Sequence, residues 1–204
     1  MDQNDKTTEE KIKISARKLF HIKGYAGTKT REIAEDAGIN LALLNYYFRS
    51  KEKLFEIVMT ESISDFFISL APIYDNPNTT FEEKIVKIVD VYIDMLLNEP
   101  EIVMFIMSEF KANPEFFIGK IKVREIFFNS VLRTQALEKL EQKNISQSMF
   151  IQLIISFVGL TVFPFVSTPI IKTAMYISDI QFNTLMKERK KLIPMWLKAM
   201  IDSM

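Results

Sequence analysis

The chain has no cysteine, one histidine, one tryptophan and five glycines among 204 residues. Without cysteine there can be no disulfide, no thiolate zinc site and no thiol nucleophile. The lone His21 follows the apolar pair Leu19-Phe20 and has no second histidine with which to ligate a metal, so it reads as structural. Five glycines leave no phosphate-cradling loop of the G-x-G-x-x-G or P-loop kind. Charge of one sign is also lacking, since 26 Lys and Arg balance 26 Asp and Glu. No alternating apolar pattern speaks for strands, and no internal repeat or low-complexity tract is visible. Asp90 and Asp94 form a carboxylate pair, but at a spacing common on solvated helices. A helical enzyme therefore finds little support, and neither a metal nor a cofactor is expected. The polar start Met1-Asp-Gln-Asn-Asp does not read as a secretion signal, which together with the missing cysteine leads us to expect a cytoplasmic protein.

The balanced total hides an asymmetry. From Lys11 to Lys53 there are ten Lys or Arg against four Asp or Glu, about +6, whereas residues 54–204 carry 15 basic and 18 acidic groups, about −3. The cationic part contains the run Thr28-Lys-Thr-Arg-Glu-Ile-Ala-Glu-Asp-Ala-Gly-Ile-Asn, followed by Leu-Ala-Leu-Leu-Asn-Tyr-Tyr-Phe-Arg-Ser-Lys51. Thr30 is placed to cap a short helix, Gly38 to end it in the left-handed conformation, and Asn40 to cap the next. Ile33, Ala34, Ala37, Ile39 and Leu44 are the apolar positions, and the small alanines permit a steep, close crossing. Such a crossing projects the helix Leu41–Tyr47 outward, where it can enter a DNA major groove.

Roles follow from side-chain chemistry, with phosphate contacts setting register and base-edge contacts carrying sequence information. Thr28 and Thr30, near free helix amides, are expected to hold phosphates. Lys29 and Arg31 are expected to reach phosphates or the groove floor. The outward helix offers Asn40, Leu41, Ala42, Leu43, Asn45 and Tyr46. The Asn45 amide suits adenine, while Leu41, Ala42 and Leu43 suit thymine methyls. Tyr46 and Tyr47 also have the amphipathic character to cover the small core.

These residues closely resemble the amino-terminal DNA-binding domain of the TetR family of bacterial transcriptional repressors. The likeness covers about the first 60 residues: Ile14, Ala16, Leu19, Phe20 and Gly24-Tyr25; then Thr28, Ile33-Ala34 and Ala37-Gly38; then Leu44, Tyr47-Phe48 and Ser50-Lys51-Glu52-Leu54. The resemblance implies that Tyr47 and Lys51 hold phosphates. It is broken at Ala42, where the family often has Gly, and at Asn45, where an aromatic Tyr is common. Both fall in the base-reading segment, so the binding mode carries over and the operator sequence does not.

An all-α chain is expected, with a helix-turn-helix domain over 1–53 and a larger helical domain over 54–204. Helix four should run from Lys51 to about Ile73, before the Asp75-Asn-Pro-Asn78 break. A helix from Thr79 or Thr80 should end at Asn98, another should open at Pro114 and reach about Lys143, and a last one should span about Ile180 to Ile201 with a disturbance at Pro194. Asn144 to Ile171 contains no charged residue and is apolar enough over Met149–Val166 to raise a membrane question. Gln147, Gln152, Ser156, Gly159 and Pro164 weaken that reading, so we expect no membrane and instead a subunit seam formed by Phe150, Ile154, Phe157 and Val158. Leu185, Ile193, Trp196 and Met200 of the last helix should complete it. The resemblance implies the same homodimer, a four-helix seam from the last two major helices of each subunit. It also implies an effector cavity among the middle helices. Phe66, Met104, Phe105, Met107, Phe110, Phe127, Phe128 and Phe157 would line it and Tyr92 anchor it, suiting a small apolar or aromatic molecule. The expected function is a ligand-responsive regulator binding a palindromic operator of double-stranded DNA. A constitutive DNA-binding protein is the alternative.

Overall fold

The computed structural model describes residues 7–100, 102–104, 107, 111, 115 and 129–204. The chain is all-α, and no strand occurs among the described residues. It divides into two compact units, 1–65 and 66–204.

The first unit holds α1 (Thr8–Gly27), α2 (Thr30–Asp36), α3 (Leu41–Phe48) and most of α4 (Lys51–Ser69). Helix α1 starts with a capping box, in which Glu10 N–H donates to Thr7 Oγ1 and Thr7 N–H to the Glu10 carboxylate. Its inner face, Ile12, Ala16, Leu19 and Phe20, is buried together with Ile33 and Ala34 of α2, Leu44 and Phe48 of α3, and Leu54 and Val58 of α4. Each of these side chains larger than alanine contributes about 1.5–3 kcal/mol. The early turns of α4 belong to this unit because they pack on α1. Phe55 meets Phe20 edge-on at 4.9 Å between ring centroids, and Lys13 pairs with Glu61 at 2.7 Å. The compact unit thus extends beyond residue 53, where sequence had placed the boundary.

The second unit contains the end of α4, then α5 (Ala71–Tyr74), α6 (Phe81–Asn98), α7 (Val131–Gln142), α8 (Gln147–Val166), α9 (Thr168–Met175) and α10 (Asp179–Asp202). Helix α4 stops at Ser69 instead of reaching Ile73, because Pro72 has no N–H to continue the ladder and opens α5 instead. Thr80 and Glu83 form the capping box of α6. Ser130 caps α7 by accepting from Arg133 N–H at 3.2 Å, so a helix begins anew at Val131; the stretch around Pro114 lies outside the described residues. Helix α10 runs through Pro194 without interruption. The core joins Val89, Ile93 and Leu96 of α6 to Val162 and Phe165 of α8 and Phe182, Met186, Ile193 and Leu197 of α10. The fully buried Lys84 ties the loop before α6, its Nζ donating to the carbonyls of Asn76 at 2.7 Å and Thr79 at 2.6 Å.

One polar contact fastens α8 to α10. Pro164 lacks the N–H that would occupy the Leu160 carbonyl four residues earlier. Arg189 of α10 fills that place, donating to Leu160 O from Nη2 at 2.7 Å and Nε at 3.2 Å, with its guanidinium 5.2 Å from the Trp196 ring. Burial lowers the pKa of Arg189, but the group stays charged. Arg189→Met should destabilise the chain by about 1–3 kcal/mol, because a buried carbonyl loses its partner. In a Pro164→Ala background the restored backbone N–H should reduce that cost. Thermal unfolding of the four members of this double-mutant cycle checks the coupling, and equal costs in both backgrounds would contradict it.

Candidate nucleic-acid interface

The turn between α2 and α3 is built by local chemistry. Ile39 N–H donates to Ala34 O at 2.9 Å and Gly38 N–H to Glu35 O at 3.1 Å, a Schellman ending that needs the positive φ of Gly38, +68°. Asn40 then caps α3, its Oδ1 accepting from Leu43 N–H at 2.8 Å. Thr30 does not cap α2 as its residue type had implied. It is the first helical residue, Lys29 occupies the cap, and the Glu32 carboxylate accepts from Lys29 N–H at 3.1 Å. That bond, with the Lys23 ammonium at 3.0 Å, holds Glu32 below the usual carboxylate range. Lys18, and behind it Ser15, does the same for Asp36. Glu32 and Asp36 are therefore compensated internally.

Helix α3 is anchored by Leu44 and Phe48, 0% and 3% exposed. One helical face being thus fixed, the other is left to solvent. Tyr46 is 79% and Tyr47 41% exposed, Asn40, Ala42 and Asn45 are exposed, and Leu41 and Leu43 are half-buried at the flanks. Neither tyrosine serves as a core cover. Lys29 and Arg31 are exposed and Thr30 is half-buried. Neither Lys29 nor Arg31 has a carboxylate partner among the described residues.

Two expected phosphate ligands stand differently. Thr28 is buried, and its hydroxyl points between the carbonyls of Gly24, at 2.8 Å, and Leu19, at 3.1 Å. This corrects the reading of that hydroxyl as a phosphate ligand: it closes the carboxy-terminal end of α1, whose orphan carbonyls need donors. Lys51 reaches the same place, donating to Tyr25 O at 2.9 Å and Thr28 O at 3.1 Å with its Nζ 4.1 Å from the Tyr25 ring centroid. Two of its three N–H groups thus tie the start of α4 to the α1–α2 loop, leaving one for an outside oxygen. Sequence pattern did not show this tie, because nothing in residue spacing tells whether a lysine reaches carbonyls or solvent.

In the second unit, three expected effector-pocket residues come together. Phe66 meets Tyr92 at 5.2 Å and Tyr92 meets Phe157 at 6.4 Å, both edge-to-face. Burial pushes the Tyr92 hydroxyl up to about 12. Met107 packs against the same core. Met104 is 59% exposed and so does not join an interior lining, and Phe105, Phe110, Phe127 and Phe128 lie outside the described residues. Two surface clefts, of about 500 and 300 Å³, are lined by other residues.

Of the residues expected at the seam, Ile154, Val158 and Leu185 are exposed and Phe150 is half-buried. Ile193 is corrected: it is fully buried within its own chain's core. Trp196, Met200 and Phe157 are half-buried and pack inward too. Ile151, Ile155, Phe163, Ile170 and Ile180 are exposed as well, between 49% and 80%.

An outward helix held by a tight turn on a three-helix base, with cations around it, defines a helix-turn-helix protein. Residues 15–58 match the family described as bacterial regulatory proteins, tetR family. The probable HTH-type transcriptional regulator YttP of Bacillus subtilis (strain 168) is 32% identical over 104 residues, 50% of each chain, so the match spans about half the length of that curated relative. Two solved structures share the fold. The TetR transcriptional regulator from Legionella pneumophila has a TM-score of 0.60 and 21% identity, over 94% of this chain and 99% of that one. FadR from Bacillus subtilis in complex with stearoyl-CoA has a TM-score of 0.55 and 18% identity, over 90% and 96%. Residues 15–58 are thus similar to the DNA-binding part of the tetR family, and the rest of the chain shares the fold of these regulators.

The Thr28 hydroxyl provides a first test of the interface's inner wall. Thr28→Val should lower stability by about 0.5–1.5 kcal/mol in denaturant unfolding. An unchanged midpoint would return the hydroxyl to solvent and to phosphate.

Proposed function

We propose that the chain is a ligand-responsive transcriptional regulator, a repressor that binds a palindromic operator as a homodimer and leaves it when a small apolar effector binds. The observation that carries this reading is the exposed face of α3, where Ala42, Asn45 and Tyr46 stand free while Leu44 and Phe48 hold the helix from below. Asn45 reads adenine through its amide, Leu41, Ala42 and Leu43 meet thymine methyls, and Asn40 and Tyr46 reach the groove edge. Thr30, Lys29, Arg31 and Tyr47 take phosphates, and Lys51 adds its remaining N–H and its charge. A local charge of about +6 over Lys11–Lys53 makes the affinity fall steeply as salt rises.

Dimerisation is supported by α8, a 20-residue helix of mean hydropathy 2.2 with only 22% of its most apolar stretch buried in its own chain. Water is a poor neighbour for Ile151, Ile154, Ile155 and Val158, and a second copy of the same face supplies a better one. Two readers one duplex turn apart then demand a two-fold operator. The effector reading rests on the Phe66, Tyr92 and Phe157 rings, and on α4, one helix that carries both Lys51 and Phe66. The FadR relative in complex with stearoyl-CoA makes a long acyl chain the first effector to try. A coupling of about 1–3 kcal/mol would change operator affinity about 5- to 150-fold.

Selection from a random DNA pool should return an inverted repeat with half-sites about one helical turn apart. Lys51→Ala and Tyr47→Phe should then weaken binding uniformly across the selected sequences, and a change in the preferred bases would refute their phosphate role. Ile155→Asp should give a monomer by sedimentation that binds the repeat far more weakly; a dimer with wild-type affinity would move the seam elsewhere. If long-chain acyl thioesters and other apolar ligands leave operator affinity unmoved, the chain is a constitutive binder.

A further inference from the structure

The 500 Å³ cleft between α5, α6 and α10 is lined by Lys87, Lys187, Lys190 and Lys191, with Asp90 as its one carboxylate, over an apolar floor that includes Ile73 and Val91. Four lysines line it in a part of the chain, residues 54–204, where acidic groups outnumber basic ones 18 to 15. Lys190 is fixed in place, its Nζ 2.9 Å from Asp90 and 2.7 Å from Asp94. Burial alone would lower its pKa, but the two carboxylates hold it above the usual lysine value. Lys187 and Lys191 make no ion pair among the described residues, while Lys87 acts on the Glu83 carboxylate one turn earlier. The four lysines are thus set against Asp90, Asp94 and Glu83, and Lys187 and Lys191 remain outside any ion pair beside the concavity.

We propose that this cleft binds a small phosphorylated organic anion of nucleotide size. The unpaired Lys187 and Lys191, with Lys87 beside them, favour a multiply charged phosphate over a single carboxylate, since each added negative charge gains attraction from all of them. The volume lies within the range of small-molecule sites. The apolar floor gives a nucleoside or similar body a surface that bare phosphate cannot use. A duplex is too broad to enter such a cleft, which separates this site from the reader on α3.

Calorimetric titration of the full chain at low salt tests the assignment, with ADP, inorganic pyrophosphate and adenosine as probes. ADP should bind once per chain and more tightly than pyrophosphate, adenosine should bind far more weakly, and added salt should weaken ADP. In the double variant Lys187→Gln, Lys191→Gln, ADP affinity should fall about tenfold or more, with the thermal midpoint and operator affinity unchanged. No ADP binding by the unaltered chain would overturn the proposal. So would equal ADP binding by the folded double variant, which would put the anion on the cationic reader, or adenosine binding as well as ADP.

Discussion

Leu44 and Phe48 lie on one side of an eight-residue helix that packs on α2, both are buried, and that burial fixes how α3 is rotated about its own axis. A helix this short has little stability of its own, so tertiary burial has to supply it. Once those two side chains are seated, 100° of turn per residue decides the rest: Ala42, Asn45 and Tyr46 must face out. Gly38 and Asn40 set the direction from which α3 leaves the turn, and Thr28 and Lys51 brace the α1 end beside it. Function in the reader is thus a by-product of a small core, because the groove-facing residues are those that packing did not need.

The same logic of unmet groups runs through the second unit. Proline in α8 frees a carbonyl, and an arginine from α10 answers it. The tie joins two helices at the edge of the apolar face that we assign to the dimer. On that face the imbalance is hydrophobic: exposed isoleucines and a valine with no partner in their own chain. In the cleft beside α6 it is electrostatic, with Lys187 and Lys191 in no ion pair among the described residues. Each imbalance points outward to something the chain meets, whether groove, second copy or anion.

Local chemistry was legible in the sequence where it acts over three or four residues. Gly38 ending one helix, Asn40 beginning the next, Thr80 capping α6 and the apolar spacing of Leu44 and Phe48 all follow from backbone rules applied to neighbours. Contacts between distant segments were not legible. Thr28 looks like an exposed phosphate ligand until its hydroxyl is seen between the α1 carbonyls, and Lys51 looks like a free cation until its reach to Tyr25 and Thr28 is seen. Ile193 and Ile154 are both apolar residues on late helices, and only the packing of α10 on α6 and α8 shows that one is inside and the other outside. The effector site was the least legible, because core and cavity draw on the same Phe and Met side chains.

The absence of cysteine offers a direct test of the account. A Tyr46→Cys variant carrying a tethered iron chelate that cleaves DNA should cut selected operator duplexes at two symmetry-related places, each within a major groove and about one helical turn apart. Cutting at a single place, at scattered places, or none at all from a variant that still binds DNA would contradict the claim that the outer face of α3 is the surface that reads it.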